Sequence, residues 1–168
     1  VMHINLSFVQ IVKSNIVKDV LENIERYSAA NNHYVFEITE TIEMDQIPAV
    51  QNVFKEFVKN EFRFAIDDFG TGYSNYGYMR DRTFDIVKVD RSFVTDIDKL
   101  KDNYLMVSFI IKMAHEMGLH VCIEGVETKE ELSCVKKLGA DYIQGYYYGK
   151  PVCLQDFEEQ HLKRFVLG

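Results

Sequence analysis

The sequence predicts a TIM-like (β/α) barrel, a member of the α/β class, that is incomplete at its N-terminus. Strand-like and helix-like segments alternate along all 168 residues, and strands separated by helices pair in parallel. Polar residues recur at the C-terminal ends of nearly all the strands, the face where such barrels carry their functional groups. About six βα units are present, whereas a complete barrel has eight in ~250 residues. We therefore expect residues 1–168 to form one truncated barrel domain.

A doubly wound open sheet is the alternative architecture for the same alternation of strands and helices. Such sheets usually carry a glycine-rich phosphate loop after a strand, either G-x-G-x-x-G or a P-loop. Neither motif follows any predicted strand of this sequence. The barrel is therefore the favoured prediction.

Six short apolar runs are predicted to form the strands. They cover residues 2–6, 34–38, 63–66, 86–89, 120–123 and 142–147. The helices are expected between these runs. In residues 9–29, apolar side chains recur every four positions from Val12 to Ile24, which predicts one amphipathic helix.

Three further helices are indicated by signals at their ends. Pro48 suits the first turn of a helix that leads into the apolar positions of residues 50–57. Residues 103–117 are strongly apolar and are followed by Gly118, which is typical of a helix end. Thr128 and Glu131 have the spacing of a capping box, and Gly139 is expected to end the helix that they begin.

Composition excludes several classes of protein. The net charge of −7 argues against a broad DNA- or RNA-binding face. The three scattered cysteines form no C-x-x-C pair, which argues against a zinc knuckle or a disulfide scaffold and fits a reducing cytoplasm. No apolar run reaches membrane-spanning length. We expect a cytoplasmic domain, or the cytoplasmic portion of a membrane-tethered protein.

The segment from Ala65 to Gly72 is the most informative motif. Two adjacent carboxylates, Asp67 and Asp68, follow a short buried strand and precede a loop with two glycines. Adjacent aspartates at the mouth of a strand repel each other unless a cation lies between them. The motif therefore predicts a divalent-metal site, although Asp-Asp before a glycine is also compatible with a simple Asx turn.

Side-chain parity places further polar residues on the same side of the predicted sheet as Asp67. Small or β-branched residues precede these polar tips by two positions, as an inward-facing barrel layer requires. The convergent set is Asn5, Glu37, Asp67, Asp68 and Glu124. Lys88 lies inside a strand run, and a buried cation there needs a partner, which the nearby carboxylates or a bound phosphate would supply. Each residue alone could be a cap or a turn residue, but the set as a whole indicates an all-oxygen site for Mg²⁺ or Mn²⁺.

Two other motifs have plain structural explanations. The segment from His115 to His120 resembles H-E-x-x-H but is one residue too long, so the two rings fall on different faces and zinc binding is disfavoured. The run Tyr146-Tyr147-Tyr148 is either core packing or a platform on which bases stack. Core packing is the favoured interpretation for at least two of the three rings.

Taken together, these motifs resemble the EAL family of cyclic di-GMP phosphodiesterases. The matching segments follow the family's order and cover nearly the whole chain. They are Ile4-Asn5-Leu6-Ser7, Glu37-Ile38-Thr39-Glu40, Asp67-Asp68-Phe69-Gly70-Thr71-Gly72-Tyr73-Ser74, Val87-Lys88-Val89-Asp90-Arg91-Ser92-Phe93-Val94, Ile123-Glu124-Gly125-Val126-Glu127-Thr128 and Gln144-Gly145-Tyr146-Tyr147-Tyr148-Gly149-Lys150-Pro151. The resemblance implies a TIM-like barrel that hydrolyses one phosphodiester bond of cyclic di-GMP to give linear pGpG.

The resemblance also implies a two-metal centre of Mg²⁺ or Mn²⁺. By position, Asn5, Glu37 and Asp67 would bind one ion. Asp67 would bridge to a second ion, which Asp68 would also hold. These are the residues that the strand-end pattern already places together.

Other roles are implied by position in the same way. Glu124 corresponds to the family's glutamate that helps to activate water, and Lys88 to the lysine beside that water and the phosphate. Glu40 corresponds to the glutamate that anchors the loop after Asp68. Glu127 and Gln144 correspond to supporting or ligand-contacting positions.

The sequence departs from the family pattern in one respect. The Glu-Ala-Leu segment, with its metal-binding glutamate and an arginine that touches substrate, is absent and would lie upstream of Val1. We expect this fragment to be impaired while a complete parent, with upstream sensory or GGDEF-type domains, is active. Open barrel edges also predict a homo-oligomer.

Two other functions compete with the phosphodiesterase. A catalytically inactive cyclic di-GMP receptor or protein-interaction module is the first, but such degenerate relatives usually lose metal ligands that are retained here. Another metal-dependent barrel enzyme, such as an enolase-like one, is the second. That class has no need for Asp-Asp-Phe-Gly-Thr-Gly after a strand.

Overall fold

Six parallel strands in sequential order form a single sheet in the computed structural model, which describes residues 2–13, 15–26, 31–39, 48–71 and 83–159. The strands are β1 (Met2–Asn5), β2 (Tyr34–Thr39), β3 (Arg63–Phe69), β4 (Ile86–Val89), β5 (His120–Ile123) and β6 (Tyr142–Ile143). Each strand pairs only with its sequence neighbours within the described sheet. Described helices lie in the connections after β1, β2, β4 and β5, and the predicted incomplete barrel is confirmed.

The described α-helices lie mainly between the strands. They are α1 (Phe8–Lys13), α2 (Ile16–Arg26), α3 (Pro48–Lys59), α4 (Lys101–Glu116), α5 (Lys129–Leu138) and α6 (Leu154–Phe157). A short 3-10 turn, Arg91–Phe93, follows β4. Among these described helices, none combines the length and the apolarity that crossing a membrane requires.

The predicted helix ends are confirmed where the sequence carried a capping signal. Thr128 accepts a hydrogen bond from the Glu131 amide, and the Glu131 carboxylate accepts one from the Thr128 amide, so the capping box that begins α5 is complete. Gly139 ends α5 with a φ of 88°. Gly118 follows α4 with a φ of 80°, a backbone conformation that glycine adopts without strain.

Three predicted elements have clearly different bounds in the structure. The strand expected over residues 63–66, β3, continues to Phe69 and so includes Asp67 and Asp68. In place of the single helix expected over residues 9–29, the structure has two: α1 ends at Lys13 and α2 begins at Ile16, with Asn15 outside both. The end of that prediction, residues 27–29, lies outside the described residues. The last strand, expected over residues 142–147, ends at Ile143, since the chain then turns back to pair with Val126.

The two faces of the sheet carry side chains of different size. On the inner face, Val35, Ala65, Ile86 and Cys122 form a small buried cluster beneath the polar strand ends. On the outer face, the alternate strand residues join the helices in the main core, where phenylalanine rings pack closely. Examples are Phe36 against Phe57 and Phe54 against Phe64, each with ring centroids 4.8 Å apart. The predicted parity of the strands is therefore confirmed.

At the opposite end of the sheet, Asp141 joins three elements. It precedes β6 and accepts hydrogen bonds from the Val121 amide of β5 at 2.7 Å and from His115 Nε2 of α4 at 2.8 Å. His120 Nδ1 lies 3.4 Å from its other oxygen. Partial burial raises the pKa of the Asp141 carboxyl, but the hydrogen bonds from His115 and Val121 outweigh this effect and lower its pKa overall.

The lowered pKa of Asp141 predicts a pH-dependent contribution to stability. Its charged form stabilises the fold above the ordinary carboxyl pKa of ~3.9, and the contribution is lost as the pH falls through the lower pKa of the folded state. We expect Asp141→Asn to lower the free energy of unfolding at neutral pH, with the difference from wild type shrinking below about pH 4. Denaturant unfolding across this pH range measures the effect, with the exposed Asp98→Asn as control. A difference that is independent of pH would contradict the prediction.

Candidate active site

Lys88 is the centre of a cluster of charged side chains at the C-terminal ends of the strands. It lies on β4 and is 2% exposed. Its Nζ lies 2.6 Å from Glu37 Oε1 of β2, 2.7 Å from Asp67 Oδ1 of β3 and 2.8 Å from Glu124 Oε1 after β5. One ammonium group therefore pairs with carboxylates on β2, on β3 and directly after β5.

The protonation states within this cluster follow from burial and pairing. Burial lowers the pKa of the Lys88 amine, but hydrogen bonds to Asp67, Glu124 and Glu37 raise it well above its ordinary value, so Lys88 is charged. Burial raises the pKa of Glu37, but hydrogen bonds from His3 and Lys88 lower it overall. Burial raises the pKa of Glu124, and its hydrogen bond from Lys88 only partly offsets this.

The two adjacent aspartates occupy an irregular end of β3. The register of β3 against β4 shifts between Ile66 and Phe69, and Asp68 adopts a φ of 53°. Aspartate tolerates this left-handed conformation better than most residues. As a result, the two consecutive carboxylates reach the same side: oxygen atoms of Asp67, Asp68 and Glu124 all lie within 4.8 Å of one another.

This carboxylate group has the chemistry of a hard-cation site. Burial raises the pKa of Asp68, and the neighbouring charges of Asp67 and Asp90 raise it further. Carboxylate oxygens are the donors that Mg²⁺ and Mn²⁺ prefer. The residues present therefore fit a divalent metal ion.

His3 belongs to the cluster but was not among the predicted site residues. Its Nδ1 donates to Glu37 Oε1 at 2.7 Å, on the same oxygen that Lys88 contacts. His3 precedes Asn5 by two positions on β1, so the parity that selected Asn5 could also have selected His3. Together, His3 and Lys88 fix the orientation of the Glu37 carboxylate.

The other predicted residues lie around this centre. Asn5 is opposite Glu37 in the register of β1 and β2 and is exposed. Glu127 Oε1 pairs with Arg91 Nη2 at 3.2 Å. The Gln144 amide donates to the Ile123 carbonyl at 2.8 Å. Glu40 lies outside the described residues.

A groove of about 790 Å³ opens beside Glu124. Arg91, Gln144, Tyr146 and Tyr148 are among its lining residues. Tyr146, Tyr147 and Tyr148 are all exposed, at 51%, 41% and 57%. The favoured expectation that at least two of these rings pack in the core is therefore wrong: because β6 ends at Ile143, the three tyrosines lie on a turn beyond the sheet.

Comparisons with known proteins agree on one family. The family model described as "EAL domain" matches residues 1–151. The chain is 31% identical over 163 residues to the cyclic di-GMP phosphodiesterase PdeB of Shewanella oneidensis, covering 97% of this chain and 19% of that protein.

Two solved structures are also similar. The EAL enzyme Bd1971, in a form that binds cAMP and cyclic di-GMP, superposes with a TM-score of 0.87 at 34% identity, covering 94% of this chain and 42% of that one. Klebsiella pneumoniae BlrP1, in a complex with manganese and cyclic di-GMP, superposes with a TM-score of 0.81 at 27% identity, covering 89% of this chain and 38% of that one. The chain spans about a fifth of the length of the curated relatives it matches.

The cluster around Lys88 predicts a coupling between stability and divalent cations. Replacing Lys88 by methionine leaves Glu37, Asp67 and Glu124 without their shared cation, so we expect the free energy of unfolding to fall by about 3–5 kcal/mol. Mn²⁺ should restore part of this loss, because a bound cation again neutralises the carboxylates. Denaturant unfolding with and without Mn²⁺ measures both effects.

A matched control is Lys99→Met, which removes an ion pair on the surface, that of Lys99 with Asp96. We expect it to unfold like the wild type and to gain no more from Mn²⁺ than the wild type does. If Lys88→Met were as stable as the wild type, or insensitive to Mn²⁺, the proposed charge balance of the cluster would be wrong.

Proposed function

The chain belongs to the EAL domain family, and from this membership we propose that it carries the catalytic face of a metal-dependent phosphodiesterase that hydrolyses cyclic di-GMP to linear pGpG. The observation that carries the proposal is the meeting of Lys88 with Glu37, Asp67 and Glu124 beside the Asp67–Asp68 pair. A phosphodiester is an anion that repels hydroxide, so its hydrolysis needs concentrated positive charge and a base in one place. This cluster contains groups suited to both tasks.

The metal ions would be held by oxygen donors at the strand ends. Asn5, Glu37 and Asp67 would bind one Mg²⁺ or Mn²⁺, and Asp67 and Asp68 would bind the other. The carboxylate group formed by Asp67, Asp68 and Glu124 supports this assignment. When bound, the two ions would neutralise the phosphate charge and lower the pKa of a bound water molecule.

Glu124 is proposed to act as the general base. It would accept a proton from the water molecule that attacks phosphorus, opposite the ribose 3′ oxygen whose bond to phosphorus breaks. Its raised pKa suits a carboxylate that must take up a proton during the reaction. Its short distance to Lys88 keeps the carboxylate oriented before substrate arrives.

Lys88 is proposed to stabilise the negative charge that develops on the phosphate. Because Lys88 is buried, little water screens its charge, and its electrostatic attraction to a phosphate is stronger than that of an exposed lysine. In the absence of substrate, its three carboxylate partners satisfy this charge. The groove beside Glu124, with the exposed rings of Tyr146 and Tyr148, would accommodate the rest of the nucleotide.

Several predictions from the sequence extend beyond the site. Self-association, upstream sensory or GGDEF-type domains and a cytoplasmic location all stay predictions. So does the anchoring role of Glu40. Glu127 and Gln144 remain proposed supporting residues at the edge of the groove.

The role of Asp67 predicts that Asp67→Asn abolishes hydrolysis in the full-length protein. The substitution removes charge from both metal positions, so we expect the rate to fall by several orders of magnitude. Chromatographic detection of pGpG with Mg²⁺ or Mn²⁺ measures the rate, with Asp102→Asn on the outer helix α4 as control. Full activity of Asp67→Asn, or of the wild type in excess EDTA, would exclude the metal mechanism.

Glu124→Gln should reduce turnover far more than ligand affinity, because a general base acts mainly in the transition state. The comparison is the rate of pGpG formation against the dissociation constant of cyclic di-GMP from calorimetry, both in the full-length protein. If affinity fell as far as the rate, Glu124 would be a binding residue. Tight binding without hydrolysis by the wild type would instead favour the inactive receptor.

A further inference from the structure

The segment that links β5 to α5, residues 124–128, carries Glu124 at one end and Glu127 near the other. Its far side is fixed by the chain after β6. The Val126 amide donates to the Gln144 carbonyl at 3.2 Å, and the Tyr147 amide donates to the Val126 carbonyl at 3.0 Å. At Gly145, a Cβ atom would lie 2.1 Å from the Val126 carbonyl oxygen, so the two backbones touch directly.

The C-terminal end of this segment is anchored by Glu131 of α5. Its buried carboxylate accepts hydrogen bonds from the Glu127 and Thr128 amides at 2.9 and 3.0 Å. It also accepts one from the Asp96 amide at 3.2 Å. These hydrogen bonds fix residues 126–128, whereas residues 125 and 127 also contact the connection after β4.

That contact is made by Arg91, in two parts. The aliphatic stem lies across Gly125, where a Cβ atom would be only 2.6 Å from Arg91 Cβ and 2.5 Å from Arg91 Cγ. The guanidinium group then reaches Glu127, with Nη2 3.2 Å from Oε1. Asp90 holds the base of Arg91, because its side chain accepts the Ser92 amide at 2.9 Å and caps the 3-10 turn.

The Arg91–Glu127 ion pair links the same two parts of the chain as the Lys88–Glu124 ion pair and lies nearer to the solvent. Arg91 follows Lys88 by three residues, as Glu127 follows Glu124. Lys88 on β4 and Arg91 on the connection that follows it thus meet two carboxylates of the connection after β5. The inner pair is 2.8 Å apart and its lysine is buried, whereas the outer pair is exposed to solvent at 60% and 40%.

We propose that Arg91 is a positioning residue for the reaction: its stem and its guanidinium hold residues 124–127 in place, so that Glu124 stays oriented on Lys88. Arg91 lines the groove beside Glu124, so direct contact with the ligand is the competing explanation. The kinetic part of this inference rests on the proposed phosphodiesterase activity. The structural part does not.

The test uses the full-length protein and four variants. Arg91→Ala removes both contacts, Arg91→Met keeps the stem but not the charge, and Glu127→Gln weakens the outer pair alone. The double variant Arg91→Ala/Glu127→Gln shows whether the two residues act through one contact. Lys99→Ala, which removes an exposed ion pair of the same connection, is the control.

We expect Arg91→Ala to lower kcat about 10- to 100-fold, the effect of a catalytic group displaced by about 1 Å, with an unchanged dissociation constant for cyclic di-GMP. Arg91→Met and Glu127→Gln should each lose less, and the double variant should lose no more than Arg91→Ala. An increased dissociation constant with unchanged kcat would show that Arg91 contacts the ligand and would overturn the proposal.

Hydrogen exchange provides a measurement that does not depend on activity. The Glu124 amide donates to the Val89 carbonyl at 3.1 Å, and the Val126 amide donates to the Gln144 carbonyl. Both amides should exchange faster in Arg91→Ala and not in Lys99→Ala. If the wild type were inactive, the proposed function would fail while faster exchange still supported the positioning role. Unchanged exchange would overturn that role.

Discussion

A buried ammonium group needs negative partners, and this requirement organises the C-terminal ends of the strands. Lys88 lies almost wholly inside the protein, where a single unpaired charge would cost several kcal/mol. Its partners come from three other strands, so the cluster forms only when β2 to β5 pair in their observed register. A slip of one residue in any of them would turn Lys88 or one of its carboxylate partners toward the outer core. The site and the sheet therefore depend on each other.

The unequal size of the two sheet faces makes room for this cluster. Val35, Ala65, Ile86 and Cys122 form a thin inner layer, while the phenylalanine rings and the helices supply the apolar burial on the outer face. Stability thus comes chiefly from the outer side. On the inner face, small apolar residues leave space for the charged side chains, whose positions depend on ion pairing.

The sequence was sufficient for features that depend on local pattern or on strand parity. It predicted six strands, the caps at Thr128 and Gly139, and carboxylates at the strand ends near the buried Lys88. Contacts between distant segments were harder to predict. The pairing of Arg91 with Glu127 depends on how two connections pack, and no local signal specifies that packing.

Two predicted boundaries were misplaced, those of the last strand and of the first helix. The early end of β6 follows from hydrogen bonds to Val126, a residue on another connection, so the run of apolar residues that predicted a longer strand was outweighed by tertiary contacts. The break between α1 and α2 at Asn15 lies within an uninterrupted apolar period. The spacing of apolar residues indicates which face of a helix is buried, but it does not indicate whether the backbone continues as one helix.

The left-handed backbone at Asp68 has an evolutionary consequence. Asparagine and glycine tolerate this conformation best among the alternatives to aspartate, and each is reached from an aspartate codon by a single base change. Both would leave the turn intact while removing a carboxylate from the proposed second metal position. A glutamate would keep the charge but fit the backbone less well. For the phosphodiesterase proposed above, one mutational step at Asp68 would therefore suffice to remove a metal ligand while keeping the turn, which is a short route from an enzyme to a receptor.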